Sequence, residues 1–404
     1  MLARRLRIVH RMIGAAVFAA LAIPPAFLAQ EDEEHEHHRF PHYRVIDLGT
    51  LKGDTSSQGL GLGRRGQVGG ISINSHGIVR AFLWTRHTGM RYLGTLGGPN
   101  SGAGPVNEGD EVAVVSEIAK IDPYAENFCL FFTNHECLGA IWENGLLKPL
   151  STLGGHNAQA YDLNDEGQVV GFSETETKEK KGSCLSPSQR FDFKGVIWQP
   201  NGEIQELEPL PGDTVSFAFG INNKGQTVGA SGLCSNTSVP PNPSAPHAVL
   251  WDSDGTPHDL GSFRGAMVNV ANDINNRGDV AGDSQSHAFL WTKETGKLRD
   301  LGSLPGAVAT VLPCCNTLND RREIVGFSID ASGNFTAFYW KDGSIVDLNR
   351  LISKGSPWSL QAALSLNNAG EITGYGTIHG ETHAFLAIPC HHHGDRECCD
   401  QDEE

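Results

Sequence analysis

An internal repeat of roughly 40–58 residues constrains the fold of this chain more than any other feature. In the clearest copy, an Asn is followed by Gly seven residues later, by Ser nine residues later, and further on by Trp. These residues are Asn164, Gly171, Ser173 and Trp198. The Asn position recurs as Gly63, Asn107, Asn164, Asn222, Asn275, Asn319 and Asn367. Six of the seven Trp residues occupy one repeat position: Trp84, Trp142, Trp198, Trp251, Trp291 and Trp340.

Each repeat predicts four short β-strands, which we call A to D in chain order. Strand A ends in an apolar residue and Asn, as in Ile221-Asn222, and Asn-x-x-Gly then forms a tight hairpin. In this hairpin the Asn side chain caps the turn and the Gly takes a positive φ. Strand C is rich in aromatic and branched residues, as in 247–251, and strand D ends at a Leu. Four short strands per repeat are typical of a propeller blade.

The two ends of the repeat region predict how the ring closes. The first predicted strand, Tyr43 to Leu48, is a D strand, and the last, Ala384 to Leu386, is a C strand. We therefore expect an all-β, seven-bladed β-propeller over residues 43–388, in which the N-terminal outer strand pairs with the C-terminal blade. That pairing removes two exposed sheet edges. The alternative is an open β-solenoid, which would need no complementary ends.

Several copies carry a His-Ala-Phe step, as in His287-Ala288-Phe289-Leu290-Trp291 and His383-Ala384-Phe385-Leu386. Together with Asp300-Leu301-Gly302 and Ile274-Asn275, these residues resemble the bacterial extracellular HAF-repeat family over about residues 43–388. Some copies depart from the pattern, at Arg80 and Thr336 for the His, Asp110 and Arg322 for the turn Gly, and Gly63 for the Asn. The resemblance implies an exported repeat protein with no known chemistry, so it assigns no catalytic residue.

The N-terminal residues 1–29 are typical of an export signal, with four Arg residues before an apolar run and a cleavage position after Ala29. An uncleaved membrane anchor is the alternative, and Pro24-Pro25 argues against it. Cleavage would change the net charge from −16 to −20, because the segment contains four Arg and no acid. So acidic a chain is not expected to bind nucleic acid. We predict a secreted or periplasmic protein without a membrane span, in which cysteines can pair.

The loops between strands B and C vary most in predicted length, and the three long ones are consecutive: 117–138, 174–194 and 232–247. They should form a wall over one side of one face. Variable loops on a rigid scaffold often carry function, although insertions at tolerated positions would give the same pattern. Cys129 and Cys137 are predicted to pair within the first long loop, and Cys184 with Cys234 across the next two. The adjacent Cys314 and Cys315 would form a strained bond, so free or metal-associated thiols are the alternatives.

The two chain ends are rich in His and acids, with residues 30–42 forming one tail and residues 389–404 the other. Imidazole and thiolate ligands suit Zn²⁺ or Cu ions, and closure of the ring would bring the tails to one blade. Solvated acidic tails are the alternative. The candidate ligands are His35, His37, His38, His391, His392 and His393, beside Cys390, Cys398 and Cys399.

We expect these tails to bind Zn²⁺, Ni²⁺ or Cu²⁺ weakly and at several sites, and to release the metal below about pH 6 as the imidazoles are protonated. Calorimetric titration of the mature chain should show this binding. A chain without 30–40 and 390–404 should lose it and keep its melting temperature, because the tails lie outside the blades. Equal binding by both chains would place the metal elsewhere.

The His residues that precede strand C, His247, His287 and His383, are not expected to bind metal. Equivalent positions on adjacent blades lie about 10 Å apart, too far for one ion. We expect them to cap strand ends. Trp358 is the one Trp outside the repeat position, and it is our candidate for ligand contact.

The sequence contains no catalytic or cofactor motif that we recognise. We therefore predict a secreted, non-catalytic propeller that binds an extracellular macromolecule or glycan through the face of the long B–C loops. The alternative is a propeller hydrolase or lyase that acts on an extracellular polysaccharide. An enzyme should bring acids, His or Tyr from several blades to the channel mouth, whereas a binding protein should expose an apolar patch there.

Overall fold

The computed structural model describes residues 40–178, 190–237 and 245–390, and the account below concerns the unit that begins at His42. Its strands form seven four-stranded antiparallel sheets, which are the seven blades of a β-propeller. The fold prediction is confirmed. The described residues contain no helix long and apolar enough to cross a membrane.

The chain enters through β1 (Tyr43–Gly49) and then forms the blades in order. Blade one is β2 (Asp54–Leu62), β3 (Val68–Asn74), β4 (Val79–Thr85) and β5 (Gly89–Tyr92). Blade two is β6 (Gly97–Val106), β7 (Val112–Ile121), β8 (His135–Glu143) and β9 (Leu146–Pro149). Blade three is β10 (Gly154–Leu163), β11 (Val169–Lys178), β12 (Phe191–Trp198) and β13 (Ile204–Leu207). Blade four is β14 (Val215–Ile221), β15 (Thr227–Gly232), β16 (His247–Trp251) and β17 (Pro257–Asp259).

Blade five is β18 (Asn269–Ile274), β19 (Val280–Ser284), β20 (His287–Thr292) and β21 (Lys297–Asp300). Blade six is β22 (Ala307–Val311), β23 (Ile324–Asp330), β24 (Phe335–Lys341) and β25 (Ser344–Asp347). Blade seven is β26 (Trp358–Leu366), β27 (Ile372–Ile378) and β28 (Glu381–Pro389), completed by β1. Two single-turn 3₁₀ helices, Cys234–Asn236 and Leu348–Arg350, lie in the connections.

Blade seven contains strands from both ends of the chain. β1 pairs antiparallel with β28, from Tyr43 opposite Pro389 to Gly49 opposite Ala384. The N-terminal D strand therefore closes the ring as predicted, and the open β-solenoid is excluded. Because β1 covers the outer edge of β28, that edge is not exposed.

The A strands lie at the centre of the ring and each blade presents two kinds of connection. The A–B and C–D turns open on one side, which we call the turn face. The B–C loops and D–A links open on the other side, which we call the long-loop face. This arrangement follows from the antiparallel order of four consecutive strands in each sheet.

Six of the seven A–B hairpins follow the predicted turn chemistry, and blade one has Gly63 in place of the Asn. In blade three, the Asn164 side-chain oxygen accepts hydrogen bonds from the backbone N–H groups of Glu166 and Gln168. Gly167 takes a φ of 75° there. In blades two and six the equivalent residues are Asp110 and Arg322, and both adopt a φ of 61° in spite of their side chains. The turn geometry is thus retained where the Gly is absent.

A bulge in strand A explains the repeated Gly of strand B. In blade three the pairing register shifts between Ala160 and Asp162, and similar shifts occur in blades one, two, four, five and seven. Beside this bulge, a Cβ atom on Gly171 would collide with the carbonyl oxygen of Gln159. A side chain is excluded there because the two backbones approach so closely.

The same Asn residues also join neighbouring blades, which the repeat pattern alone did not predict. The Asn164 amide nitrogen donates to the Asn222 carbonyl at 3.1 Å, and that of Asn222 donates to the Asn275 carbonyl at 3.1 Å. The series continues through Asn319 and Asn367 to Gly63. It includes Asn107 as the donor to Asn164. Hydrogen bonds therefore run from blade to blade around the channel on the turn face.

We expect Asn222→Ala to destabilise the propeller by about 2–4 kcal/mol, because it removes four hydrogen bonds and leaves buried groups unpaired. The neighbouring Asn223→Ala is the matched control. Asn223 is exposed, and it hydrogen-bonds to Asp165 through its side chain and to Asn276 through its backbone N–H. Its replacement by Ala should therefore lower the free energy of unfolding by less than about 1 kcal/mol. Urea unfolding measures both. Equal destabilisation by the two substitutions would show that the buried hydrogen bonds between blades contribute no more to stability than the exposed ones.

The repeated Ser of strand B fixes the D–A link. In blade three the Ser173 hydroxyl accepts a hydrogen bond from the backbone N–H of Leu153 at 2.9 Å. Equivalent bonds occur in four other blades, where the acceptors are Ser72, Ser116, Ser231 and Ser284. A buried hydroxyl at this position thus pairs a backbone group that would otherwise be unsatisfied.

Candidate functional site: the long-loop face and the central channel

The first two long B–C loops are partly strand. β7 extends to Ile121 and β8 begins at His135, so the loop predicted over 117–138 shortens to 122–134. Likewise β11 extends to Lys178 and β12 begins at Phe191, within the predicted 174–194 loop. The predicted boundaries were therefore wrong. The reason is that both hairpins continue pairing past a register shift, at Glu117 and at Glu174.

Loop 122–134 is held in one conformation by covalent and hydrogen bonds. Cys129 and Cys137 form the predicted disulfide. At the base of the loop, the Asp122 N–H donates to the Asn134 carbonyl at 2.8 Å, and the Asp122 carboxylate accepts from the Tyr124 N–H at 2.7 Å. Such bonds substitute for the strand pairing that the loop lacks.

The backbone of loop 122–134 is strained. Five of its residues that are not Gly have a positive φ: Ala125, Asn127, Leu130, Phe132 and Asn134. A left-handed conformation is rare for large apolar residues such as Leu130 and Phe132, and strain of this kind concentrates at functional sites. Phe132 has a φ of 57° and its side chain is 72% exposed. We had not predicted Phe132 as a site residue, although an apolar run in a long polar loop is a usable signal.

An aromatic cluster supports the loop from below. Phe128 is buried and lies 5.1 Å from the ring of Phe172, which in turn contacts Phe193, Phe217 and Tyr161. Ring separations of this size are favourable for aromatic pairs. The loop therefore directs one Phe into the core and another, Phe132, into solvent.

Three buried carboxyl groups, those of Glu126, Glu174 and Asp122, lie together at the same loop. Glu126 is fully buried, and its burial, with the neighbouring Glu174 and Asp122, raises its pKa to about 9. It therefore holds a proton at neutral pH. Glu174 accepts hydrogen bonds from the backbone N–H groups of His156 and Asn157 at 2.9 Å. Asn157 also donates to Asp122, so the carboxyl groups join loop 122–134 to blade three.

Exposed apolar side chains concentrate on the long-loop face. The described residues include nine large apolar side chains that are exposed, and eight of them lie in B–C loops, D–A links or the strand ends beside them. These eight are Tyr92, Ile121, Tyr124, Phe132, Leu233, Met267, Val308 and Phe335. The ninth, Leu146, borders a C–D turn on the turn face. Exposed apolar side chains are thus distributed unequally between the two faces of the ring.

The central channel is crossed by a segment of blade six, residues 312–317, which we call the channel segment. It begins after the end of β22 and ends at an isolated β-bridge between Leu318 and Ile324. Only two residues of the neighbouring strand, β23, lie opposite these six residues. The Asn316 side chain reaches across to Asp162 of blade three at 3.0 Å. The Leu366 N–H of blade seven donates to the Asn316 carbonyl at 2.6 Å. In blade six the usual bulge of strand A is thus enlarged into a segment that contacts other blades.

Buried acids line the channel near this segment. Burial, with the nearby charge of Asp273, raises the pKa of Asp162 to about 8, and burial raises that of Asp273 to about 6. Both accept hydrogen bonds from backbone N–H groups of the next blade, Asp162 from Ile221 at 3.0 Å and Asp273 from Leu318 at 2.7 Å. Their oxygens are therefore occupied in joining blades and not directed at open space.

The three repeated His residues each pair with an Asp. His247 lies 2.8 Å from Asp213, His287 lies 2.9 Å from Asp300, and His383 lies 3.0 Å from Asp47, measured between Nδ1 and a carboxylate oxygen. Within the described residues, no group of three or more His, Cys, Asp or Glu side chains could hold a metal ion.

Several predicted site residues have a different place. Trp358 is only 9% exposed and packs against Phe385, so it belongs to the core of blade seven and not to an exposed surface. Cys234 takes part in a disulfide, but its predicted partner Cys184 lies outside the described residues. The tail His residues proposed as metal ligands, His35, His37, His38, His391, His392 and His393, also lie outside the described residues.

Solved structures share this fold at low sequence identity. A catalytically inactive virginiamycin B lyase from Staphylococcus aureus with quinupristin has a TM-score of 0.51 and 10% identity, covering 86% of this chain and 100% of that chain. An acylaminoacyl peptidase from Pyrococcus horikoshii has a TM-score of 0.50 and 12% identity, covering 84% and 53%. These likenesses show the propeller fold alone. No family model and no curated protein matches this chain, so the HAF-repeat resemblance stays a prediction.

Proposed function

We propose that this protein is a secreted, non-catalytic β-propeller that binds an extracellular macromolecule or glycan through its long-loop face. One observation carries the proposal: Phe132 is presented to solvent from a strained, disulfide-closed loop. A left-handed φ at an exposed Phe costs free energy in the free protein, whereas a backbone that the loop already holds in place loses little entropy when a ligand binds.

The neighbouring apolar side chains extend this surface. Ile121 is 56% exposed at the end of β7, and Tyr124 lies in the same loop as Phe132. Aromatic and branched side chains of this kind are typical of the anchors of binding interfaces. The Lys178 Nζ lies 4.8 Å from the centre of the Tyr124 ring, so a charged group borders the apolar side chains.

Catalysis on a polysaccharide is less well supported. Of the four acids with clearly raised pKa, Asp162, Asp273 and Glu126 are buried and Asp283 is partly buried. Backbone N–H groups donate to each of them. A catalytic acid needs to reach the scissile bond of its substrate. The structural likeness to propeller enzymes transfers no activity at such low identity.

Export is part of the same proposal. The positively charged and apolar N-terminus of the chain supports it, and so does the Cys129–Cys137 disulfide, because such bonds persist in oxidising compartments. The tail His residues would then act as a weak accessory site for divalent metal, without a role in folding.

Phe132→Ala is expected to weaken ligand binding at least about tenfold while the melting temperature stays unchanged, because the ring contacts little in the free protein. We would measure binding by calorimetry against a panel of soluble polysaccharides, including chitin, cellulose, pectin and alginate oligomers. Release of reducing ends or unsaturated products is followed in the same samples. Binding without product is the expected result.

Leu146→Ala provides the matched control. Leu146 is 66% exposed, close to Phe132 in exposure, but it lies on the turn face. Its replacement should leave affinity unchanged. Equal loss of affinity in both variants would contradict the long-loop face as the site, and product formation would favour the enzymatic alternative.

A further inference from the structure

The adjacent residues Cys314 and Cys315 lie inside the channel segment, where the proposed binding function does not use them. The two residues are neighbours in the chain, and neither forms a disulfide. Cys314 is partly exposed and Cys315 is buried, with its Sγ donating to the Phe219 carbonyl at 3.3 Å. The pair thus combines a partly exposed cysteine with a buried one next to it in the chain.

The backbone at this pair is strained. Cys315 and Asn316 both have a positive φ, 73° and 58°, which is rare for two consecutive residues that are not Gly. The conformation is maintained by bonds to three other blades: Cys315 N–H to the Asn272 carbonyl, Asn316 to Asp162, and Leu366 N–H to the Asn316 carbonyl. Strain that the surroundings maintain in this way concentrates at functional positions.

The surroundings leave Cys315 in its thiol form until a partner removes its proton. Burial, together with the hydrogen bond from Cys314, raises the pKa of Cys315 well above its ordinary range. Cys314 packs against the aromatic cluster of Phe128, Phe172 and Phe219, which also supports loop 122–134. The pair therefore lies between the channel and the proposed binding face.

We propose that Cys314 and Cys315 form a reversible dithiol–disulfide site that exchanges with small disulfides such as oxidised glutathione. The Cys314 sulfur, as thiolate, attacks the small disulfide, whose S–S bond breaks and releases one thiol. The Cys315 sulfur then gives up its proton and attacks Cys314, which releases the second thiol. One disulfide forms in the protein, one is reduced, and the electrons and protons balance.

The product would be easy to reduce. A bond between adjacent cysteines closes a small, strained ring, and strained disulfides have higher reduction potentials than relaxed ones. Cys129 and Cys137 are separated by eight positions and provide an internal comparison. We expect reduced glutathione to open the Cys314–Cys315 bond at a concentration about tenfold lower than it needs for Cys129–Cys137.

Peptide mapping of the full chain tests the proposal. The protein is incubated with oxidised glutathione, free thiols are alkylated, and the chain is cut with trypsin. The peptide Asp300–Arg321 contains both cysteines and no other, and Ile121–Lys178 contains only Cys129 and Cys137. In the wild type, Asp300–Arg321 should lose the mass of two hydrogens and carry no glutathione.

Two variants separate the roles of the sulfurs. Cys315→Ser should retain one glutathione on Cys314, because the second attack is lost. Cys314→Ser should remain unmodified, because Cys315 is buried. A wild-type peptide that carries two glutathiones, or that stays fully alkylated, would overturn the proposal. So would an opened Cys129–Cys137 bond while Cys314–Cys315 is still closed. None of these outcomes depends on ligand binding at the long-loop face.

Discussion

A chain that begins at Gly53, and so lacks β1, is expected to lose about 5 kcal/mol of stability or more, as much as many whole domains possess. β1 is the outer strand of blade seven and the sole sheet partner of one edge of β28. Leu48 belongs to a core cluster with Trp84 and Leu386, which join blade one to blade seven. Removal of β1 therefore exposes both the apolar surface of this cluster and the outer edge of β28.

A chain that begins at Phe40 is the matched control, because it lacks the preceding residues but keeps β1. Thermal unfolding followed by circular dichroism compares the two. The Phe40 chain should melt as the mature protein does, and the Gly53 chain at a much lower temperature, in one cooperative transition. If both melted together, the pairing of β1 with β28 would contribute nothing to stability.

Trp198→Ala and Trp251→Ala are each expected to destabilise the propeller by about 3–5 kcal/mol, the range for large buried aromatic residues. Trp198 is 2% exposed and Trp251 is fully buried. Each indole also donates a hydrogen bond to the D–A link that precedes its own blade, Trp198 to the Ser151 carbonyl at 2.8 Å and Trp251 to the Glu208 carbonyl at 2.7 Å. Truncation would therefore open a cavity and leave a carbonyl unpaired.

Trp291 occupies the same repeat position but is only half-buried, so Trp291→Ala should cost clearly less. Denaturant unfolding gives the three free energies, and iodide quenching of the native protein reports the exposure of the rings. Strong quenching of Trp198 and Trp251, or equal costs for all three substitutions, would contradict a structural role and favour an aromatic binding surface.

The candidate site could be predicted from the sequence only in outline. Unequal loop lengths indicated the face that carries most of the exposed apolar side chains, and the spacing of Cys129 and Cys137 predicted their disulfide. The sequence did not distinguish Phe128, which is buried, from Phe132, which is exposed. Both are Phe residues in one loop, and the difference depends on the backbone conformation and on the rings of the neighbouring blades. For the same reason Trp358 was assigned to a ligand surface although it lies in the core.

The number of blades and the two complementary ends of the ring could be predicted by counting repeats, and the geometry of the A–B turns follows from short-range hydrogen bonding that six of the seven repeats carry. Asn164 and Gly167, three residues apart, specify a turn without help from the rest of the chain. Which groups join across blades depends on the tertiary structure. The bond from Asn164 to the Asn222 carbonyl and that from Asn316 to Asp162 span 58 and 154 positions. Such partners meet only when the ring has closed, because closure fixes the distance and orientation that a hydrogen bond requires.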